Sequence, residues 1–173
     1  ARRIVAALAH RAYRRPVGDG DIAPLMHLYD AARAGADFDH GIEAAVEAIL
    51  ISPHFLFVNE RDPAASAPGT VHRITDLELA SRLSLFLWSS IPDDTLLALA
   101  ERRQLQHPAV LDAQVTRMLA DPRANALTQN FAGQWLYLRN LDQQRPDIAA
   151  FPAFDTRLRT AMARETEMFF TYV

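Results

Sequence analysis

The sequence predicts an all-α protein, an irregular, orthogonal multi-helix bundle made of two small helical modules. Apolar residues recur with the three- and four-residue spacing of a helix face, no segment alternates as a strand would, and no repeat is visible. A Pro/Ala/Ser-rich stretch over residues 59–71 predicts a linker. It separates a three-helix module over residues 1–58 from a larger module over residues 72–173, which we expect to continue beyond the given chain.

The helices of the first module are predicted from their end signals. The first ends where Pro16 removes a backbone N–H donor. Asp19 or Asp21 can cap the second helix, and Gly35 is expected to close it. The third begins at Asp37 and ends before the next proline. We interpret the arginines of the first helix as a solvated basic face, with contact to phosphate or an acidic partner as the alternative. They are Arg2, Arg3, Arg11, Arg14 and Arg15.

The central helix is predicted to begin at Thr75. Thr75 and Glu78 have the spacing of a capping box, in which each side chain accepts a hydrogen bond from the other residue's backbone N–H. Apolar residues follow on more than one side, so we expect this helix to be buried between neighbours. Glu78 and Arg82 lie one turn apart and can form an ion pair.

The remaining helices are also predicted from caps and prolines. Their starts are Asp93 or Asp94, His107 before Pro108, Asp121 before Pro122, and Asp155. The helix after Asp121 is predicted to be long and continuous through residues 127–138, since its apolar residues keep the helical period.

Composition excludes several kinds of site within these residues. The chain has no Cys, which excludes disulfides, thiolate zinc sites, iron–sulfur clusters, c-type haem attachment and a Cys nucleophile. The formal net charge of −3 provides no general attraction to nucleic acid. The apolar runs are far shorter than the roughly 20 residues of a membrane span. No leader segment is visible, and both ends lie inside predicted helices, so we expect the chain to be part of a longer protein.

Glu165 is the first candidate for chemistry. It shares a helix face with three apolar residues, so its carboxylate is predicted to point inward. A buried carboxylate must find a partner or take up a proton. A structural ion pair with Arg82 or Arg139 is the simpler interpretation. A catalytic acid or base is the alternative.

Three further side chains are candidates for a core or a pocket. Gln134 is predicted to be a buried amide that joins two helices. Trp88 and Trp135 are predicted to be core residues, with a ligand pocket as the alternative. Neither Glu-x-x-His nor His-x-x-x-His occurs, so the sequence predicts no local metal motif.

Several segments together resemble a known pair of adjoining helical domains. Resemblance to the first domain rests on RAYRRPV and AILISPHFLF. Resemblance to the second rests on LASRLSLFLWSSIPDD, MLADPRA, NFAGQWLYLRNL, the RPD to FPAFD loop and RETEMFF. These are domains of unknown function found in large cytochrome c-associated proteins of planctomycetes and some other bacteria.

The resemblance implies a context and no specific chemistry. Such proteins are long and exported, so it implies a periplasmic or extracellular location, and many carry haem segments marked by Cys-x-x-Cys-His. With no Cys here, we expect no cofactor in this chain and any c-type haem elsewhere on the parent protein. The implied partners are other domains of the same chain or a redox partner. The family has no assigned catalytic residues, so the resemblance does not distinguish a structural role from a functional role at its motif positions. They are Arg82, Trp88, Asp121, Gln134, Trp135, Arg139 and Glu165.

These observations lead to one main functional interpretation and two alternatives. The main one is a helical scaffold or interaction module of a larger exported, c-type-haem-associated redox protein, and it predicts a buried, paired Glu165. The second is the substrate-binding part of an oxidoreductase, with a pocket near Trp88, Trp135 and Glu165. The third is an adaptor that binds a peptide or polysaccharide on an exposed apolar patch. Whether the chain is an enzyme is left open.

Overall fold

The computed structural model describes residues 1–58, 60, 67 and 69–172. Segments whose apolar residues recur with helical spacing form helices in this structure. The α-helices are α1 (Arg2–Tyr13), α2 (Asp19–Ala34), α3 (Phe38–Leu50), α4 (Pro53–Leu56), α5 (Asp76–Trp88), α6 (Asp94–Glu101), α7 (Pro108–Leu119), α8 (Gly133–Trp135) and α9 (Thr156–Tyr172). The described residues contain no strand, and the predicted all-α fold is confirmed. Within the same ranges, none of the helices has the length and apolar character needed to cross a membrane.

Side-chain caps begin several of these helices where the sequence predicted them. The carboxylates of Asp37, Asp93 and Asp155 accept backbone N–H bonds of 3.0, 2.9 and 2.8 Å from the residue three positions further on. The start of α2 differs from the prediction. Its cap position is Gly18, and Asp21 lies inside the first turn, where its carboxylate accepts the Gly18 N–H at 3.0 Å. Asp21 therefore contributes only the returning half of a capping box.

The capping box predicted at the start of α5 is confirmed. The Glu78 carboxylate accepts the backbone N–H of Thr75 at 2.7 Å and its hydroxyl at 2.8 Å. In return, the Glu78 N–H donates to the Thr75 hydroxyl oxygen at 3.3 Å. Two N–H groups that the helix leaves without an intrahelical acceptor are thereby satisfied.

The prediction of one long helix after Asp121 is wrong. Asp121 does cap a start, but of a short 3₁₀ turn, Pro122–Ala124. A π-helical segment, Leu127–Ala132, follows and runs directly into α8. Tyr137 then adopts a left-handed conformation, with φ 57°, before a second 3₁₀ segment, Leu138–Gln143. Apolar spacing does not distinguish α from π or 3₁₀ turns, which is why the sequence pattern predicted one helix.

Contacts within the chain define two compact units. The first comprises Ala1–Leu85 and Ser90–Gln114, and the second comprises Phe86–Ser89 and Val115–Val173. The core of α1 to α3 in the first unit consists of Val5, Ala9, Ala12, Tyr13, Ile22, Leu25, Tyr29, Ala45 and Ile49. The predicted division into modules stays a prediction, because most of the proposed linker (residues 59, 61–66 and 68) lies outside the described residues.

Within the first unit, α2 and α3 approach closely at Gly41. A Cβ atom there would lie 2.7 Å from the ring of Tyr29 and 2.9 Å from its backbone carbonyl oxygen. The Tyr29 ring is buried and makes an edge-to-face contact with Phe38, with 5.9 Å between centroids. The ring therefore has little room to move, and the helix pair requires glycine at this position.

Trp88 belongs to the core of the second unit. Only 3% of its surface is exposed, and its indole N–H donates to the backbone carbonyl of Met118 at 2.9 Å. Met118 itself is fully buried. The predicted core position of Trp88 is confirmed.

Candidate functional site

The structure does not place Glu165 where the sequence predicted. Its side chain is exposed on α9, and so is the apolar stripe that it shares, since Leu158 and Met162 are each 41% exposed and Phe169 is 70% exposed. The predicted inward orientation is therefore wrong, because no described element covers this face. The guanidinium of Arg139, one proposed partner, instead donates to the side-chain oxygen of Asn130 at 2.9 Å.

Arg82, the other proposed partner, binds a different carboxylate. Its Nε and Nη2 groups both donate to Glu60 in a two-pronged contact. That hydrogen bonding is the main reason why the pKa of Arg82 is raised and the pKa of Glu60 is lowered. The negative charge of Glu78 has a smaller effect, and it raises both pKa values. Arg82 therefore takes Glu60, and not Glu78 as expected, as its hydrogen-bonded partner. A two-pronged guanidinium–carboxylate contact fixes geometry better than a single-point contact.

Gln134 and Trp135 are both exposed, and the predictions of a buried amide and a core indole are wrong. Both residues follow the π-helical segment Leu127–Ala132 directly. A π turn contains more residues than an α turn. Residues 134 and 135 are therefore rotated away from the face that a 3.6-residue period assigns to them.

Trp135 belongs to a cluster of aromatic rings in the second unit. The ring of Phe131 stacks on Trp135 with 5.7 Å between centroids. It makes an edge-to-face contact with Phe86 at 5.4 Å and a tilted contact with Phe170 at 6.5 Å. Trp135 is 64% exposed, Phe86 53% and Phe131 41%. We call these four rings the aromatic face.

A hydrogen-bonded network of polar side chains adjoins the aromatic face. The Asn130 side-chain amide donates to the Ser89 hydroxyl at 2.7 Å, and its oxygen accepts from Arg139 at 2.9 Å. Ser89 has a left-handed backbone, with φ 50°. Asn130 lies in the π-helical segment and directly precedes Phe131. The network therefore holds this segment in place and supplies a polar edge to the aromatic face.

Asp121, one of the motif positions, acts on Trp88 through an arginine. Its carboxylate accepts from Nε and Nη2 of Arg123 at 2.9 and 2.7 Å. The Arg123 guanidinium lies 3.5 Å from the centroid of the Trp88 ring, at cation–π distance. Hydrogen bonds from the Arg123 side chain, followed by its backbone N–H, lower the pKa of Asp121 to about 2. Asp121 therefore positions the cation that covers the Trp88 ring.

A cleft of about 450 Å³ lies in the first unit, formed by the end of α1, the α4 region and the start of α5. Its polar lining includes two arginines, a histidine and Glu78, and its apolar lining includes Phe57, Val58 and Leu77. The lining contains none of Trp88, Trp135 and Glu165, the three residues for which a pocket was predicted.

Arg14 forms one wall of this cleft and is only 7% exposed. Its guanidinium donates to the backbone carbonyls of His54, Phe57, Ala12 and Phe55 at 2.8, 2.9, 3.0 and 3.2 Å. Burial lowers the pKa of Arg14. The interpretation of the first helix as a solvated basic face is wrong for this residue, because its side chain turns inward and fastens the α4 region to the end of α1.

Arg15, which also lines the cleft, is held by Asp21. Its guanidinium donates to the two carboxylate oxygens of Asp21 at 2.7 and 3.0 Å and to the Pro16 carbonyl at 2.9 Å. This pairing raises the pKa of Arg15 and, as the largest effect, lowers the pKa of Asp21 to about 2. The guanidinium also lies 5.7 Å from the Tyr13 ring centroid, and that ring contacts His54 at 5.3 Å. The cleft wall is therefore preorganised.

The described ranges contain no group of three or more His, Asp or Glu side chains arranged to hold a metal ion. Comparison with curated proteins and with solved structures gave no match. Among family models, PSD5, described as a protein of unknown function (DUF1595), matches residues 1–60. PSD4, described as a protein of unknown function (DUF1592), matches residues 74–173, which is more than half of the chain. The chain therefore belongs to the PSD4 family of proteins of unknown function (DUF1592), with an adjoining PSD5 (DUF1595) segment before it.

Proposed function

We propose that this chain is a helical scaffold and interaction module of a larger exported redox protein, and that its aromatic face docks another domain of the same polypeptide. The observation that carries the docking role is the exposure of Phe86, Phe131 and Trp135 in one contiguous cluster. Large exposed apolar clusters on soluble proteins mark interaction sites, whereas scattered apolar residues do not.

The composition of the aromatic face suits a protein partner. Its centre is aromatic, and its edge is the hydrogen-bonded network of Ser89, Asn130 and Arg139. An apolar centre with a polar rim is the usual anatomy of a protein interface, and tryptophan is enriched among the residues that dominate binding energy. Trp135 is the most exposed ring of the aromatic face, and we expect it to contribute most to the free energy of docking.

The apolar character also indicates a permanent partner. Transient redox encounters use small interfaces, whereas permanent interfaces are more apolar. Arg139, the charge in the described polar edge, is already hydrogen-bonded to Asn130. A domain of the same polypeptide fits such a surface better than a diffusing redox partner does.

The redox and export context rests on the resemblance to cytochrome c-associated proteins. In that context the location is periplasmic or extracellular, and c-type haem is carried by another part of the parent protein, since these residues contain no Cys. An absorption spectrum of the parent protein, made in a host that attaches c-type haem, tests this part. A haem band that shifts on reduction supports it. Absence of that band from a folded, full-length preparation overturns the redox context and leaves the docking role standing.

The oxidoreductase alternative required Trp88, Trp135 and Glu165 to share a pocket. Trp88 is buried beneath Arg123, while Trp135 and Glu165 are exposed, and the described cleft is lined by other residues. We therefore propose the docking module in preference to a substrate pocket at these residues.

Hydrogen exchange followed by mass spectrometry tests docking directly. Amides of residues 127–135 should exchange more slowly in the parent protein than in the 173-residue chain, because docking suppresses local opening. Trp135→Ala should remove that difference. Ile148→Ala, which alters an exposed apolar residue of the same unit outside the aromatic face, should preserve it. Equal exchange in the parent protein and the shorter chain would overturn the docking role.

A further inference from the structure

We propose that the cleft of the first unit is a binding site for a small amphipathic carboxylate, an acid with a compact apolar body. Both family segments contribute to it, since Arg14 and Arg15 lie in the PSD5 match and Leu77 and Glu78 lie in the PSD4 match. This inference rests on the cleft alone and is independent of the docking role of the aromatic face.

Charge at the cleft wall favours an anion. Arg14 is buried, and the acceptors described for its guanidinium are all backbone carbonyls, which carry no formal charge. Buried charges in proteins are normally paired with an opposite charge, because desolvation is otherwise uncompensated. A ligand carboxylate in the cleft supplies the missing negative charge at short range.

Arg15 offers hydrogen bonds to the same anion. Its described contacts use three of the five guanidinium N–H groups, two on Asp21 and one on the Pro16 carbonyl. The side chain keeps 34% of its surface exposed, so a ligand in the cleft can reach it. Asp21 holds the guanidinium in place, and a donor that is already fixed loses little conformational entropy on binding.

Glu78 contributes a carboxylate to the cleft lining, but this group does not cancel the preference for an anion. One of its oxygens accepts both the N–H and the hydroxyl of Thr75, which directs it to the start of α5. Among the residues that the structure describes, the lining therefore contains two guanidinium groups and one carboxylate, and that carboxylate accepts hydrogen bonds at the start of a helix.

Size and apolar lining define the rest of the ligand. A volume of about 450 Å³ falls within the range of small-molecule sites. Phe57, Val58 and Leu77 provide the apolar wall of the cleft. A bare inorganic anion leaves this wall in contact with water, whereas an aromatic or branched aliphatic acid covers it.

Benzoate is a suitable probe, and an NMR titration of the 173-residue chain measures its binding. We expect benzoate to shift the resonances of His54, Val58 and Leu77, with a Kd on the order of 1 mM for so small a ligand. Benzyl alcohol, of similar shape but uncharged, and inorganic phosphate, charged but without an apolar body, should each bind at least about tenfold more weakly.

A matched pair of variants at the cleft wall tests the role of charge. Val58 is 48% exposed, so both Val58→Glu and Val58→Gln should fold. Val58→Glu places a carboxylate in the cleft and should weaken benzoate binding about tenfold or more, while Val58→Gln should change it less than about threefold. Arg15→Gln should also weaken binding, with Arg3→Gln, a change at an exposed arginine of α1, as the control. Absence of benzoate-induced shifts at these residues, or equal affinities for Val58→Glu and Val58→Gln, would overturn the proposal, as would benzyl alcohol or phosphate binding as well as benzoate.

Discussion

The guanidinium of Arg123 lies 3.5 Å from the ring centroid of Trp88, a ring that is almost completely buried. The indole N–H donates to the Met118 carbonyl, and Asp121 holds Arg123 in place. Trp88 is thus fixed at its face and at its edge. This arrangement makes Trp88 the structural tryptophan of the chain and leaves Trp135 as the tryptophan available to a partner.

Replacement of Trp88 tests its structural role. Trp88→Ala should cost about 3–5 kcal/mol of unfolding free energy, because it removes a buried indole together with its hydrogen bond to the Met118 carbonyl. Urea denaturation measures the loss. Trp135→Ala is the matched control and should cost less than about 1 kcal/mol in the same chain, since its indole is exposed. A cost below about 1 kcal/mol for Trp88→Ala would show that this ring is not a core residue.

Acid should loosen the Asp121–Arg123 contact in a defined pH window. The pKa of Asp121 is lowered from 3.8 to about 2 in the folded chain, so the folded state favours the ionised carboxylate. Its stabilising contribution is therefore complete above the unfolded pKa and is lost as the pH falls through the folded one. Carboxyl NMR should give a midpoint near 2 for Asp121, and Arg123→Gln should return it toward 3.8. An ordinary midpoint in the unaltered chain would contradict the contact.

Gly41 should tolerate no side chain. Gly41→Ala places a methyl group 2.7 Å from the Tyr29 ring and 2.9 Å from its carbonyl oxygen, so α2 and α3 must separate. Such overpacking should cost about 1–3 kcal/mol. Gly35→Ala is a matched control, because no atom lies within 4 Å of its added Cβ and its φ is −99°. Thermal unfolding of the two variants compares them, and equal melting temperatures would show that the helices do not meet at Gly41.

Arg14 should not be replaceable by lysine. The guanidinium satisfies four carbonyls at once, and the single ammonium of Arg14→Lys cannot reach all of them in the same geometry. Leaving buried carbonyls unpaired should cost about 1–3 kcal/mol and should speed amide exchange in the α4 region. Arg3→Lys, on the exposed side of α1, should change stability by less than about 0.5 kcal/mol. Similar effects of the two changes would contradict the structural role of Arg14.

Local signals in the sequence were sufficient to predict the caps at Asp37 and Thr75, because donor and acceptor lie three residues apart. The partners of Arg14 could not be predicted in this way. Three of its four acceptors lie 40 to 43 residues further along the chain, and a backbone carbonyl has no sequence signature. The misplacement of Gln134 and Trp135 has a different cause. Both follow a π-helical segment, and residue spacing alone cannot reveal the change of register.

Solvent accessibility of Trp135 in the parent protein tests the docking role of the aromatic face most directly. Hydroxyl-radical footprinting should oxidise Trp135 rapidly in the 173-residue chain, where it is 64% exposed, and slowly in the parent protein. Trp88, at 3% exposure, should react slowly in both and serves as the internal control. Rapid oxidation of Trp135 in a folded parent protein, with Trp88 still protected, would contradict the proposal that another domain covers the aromatic face.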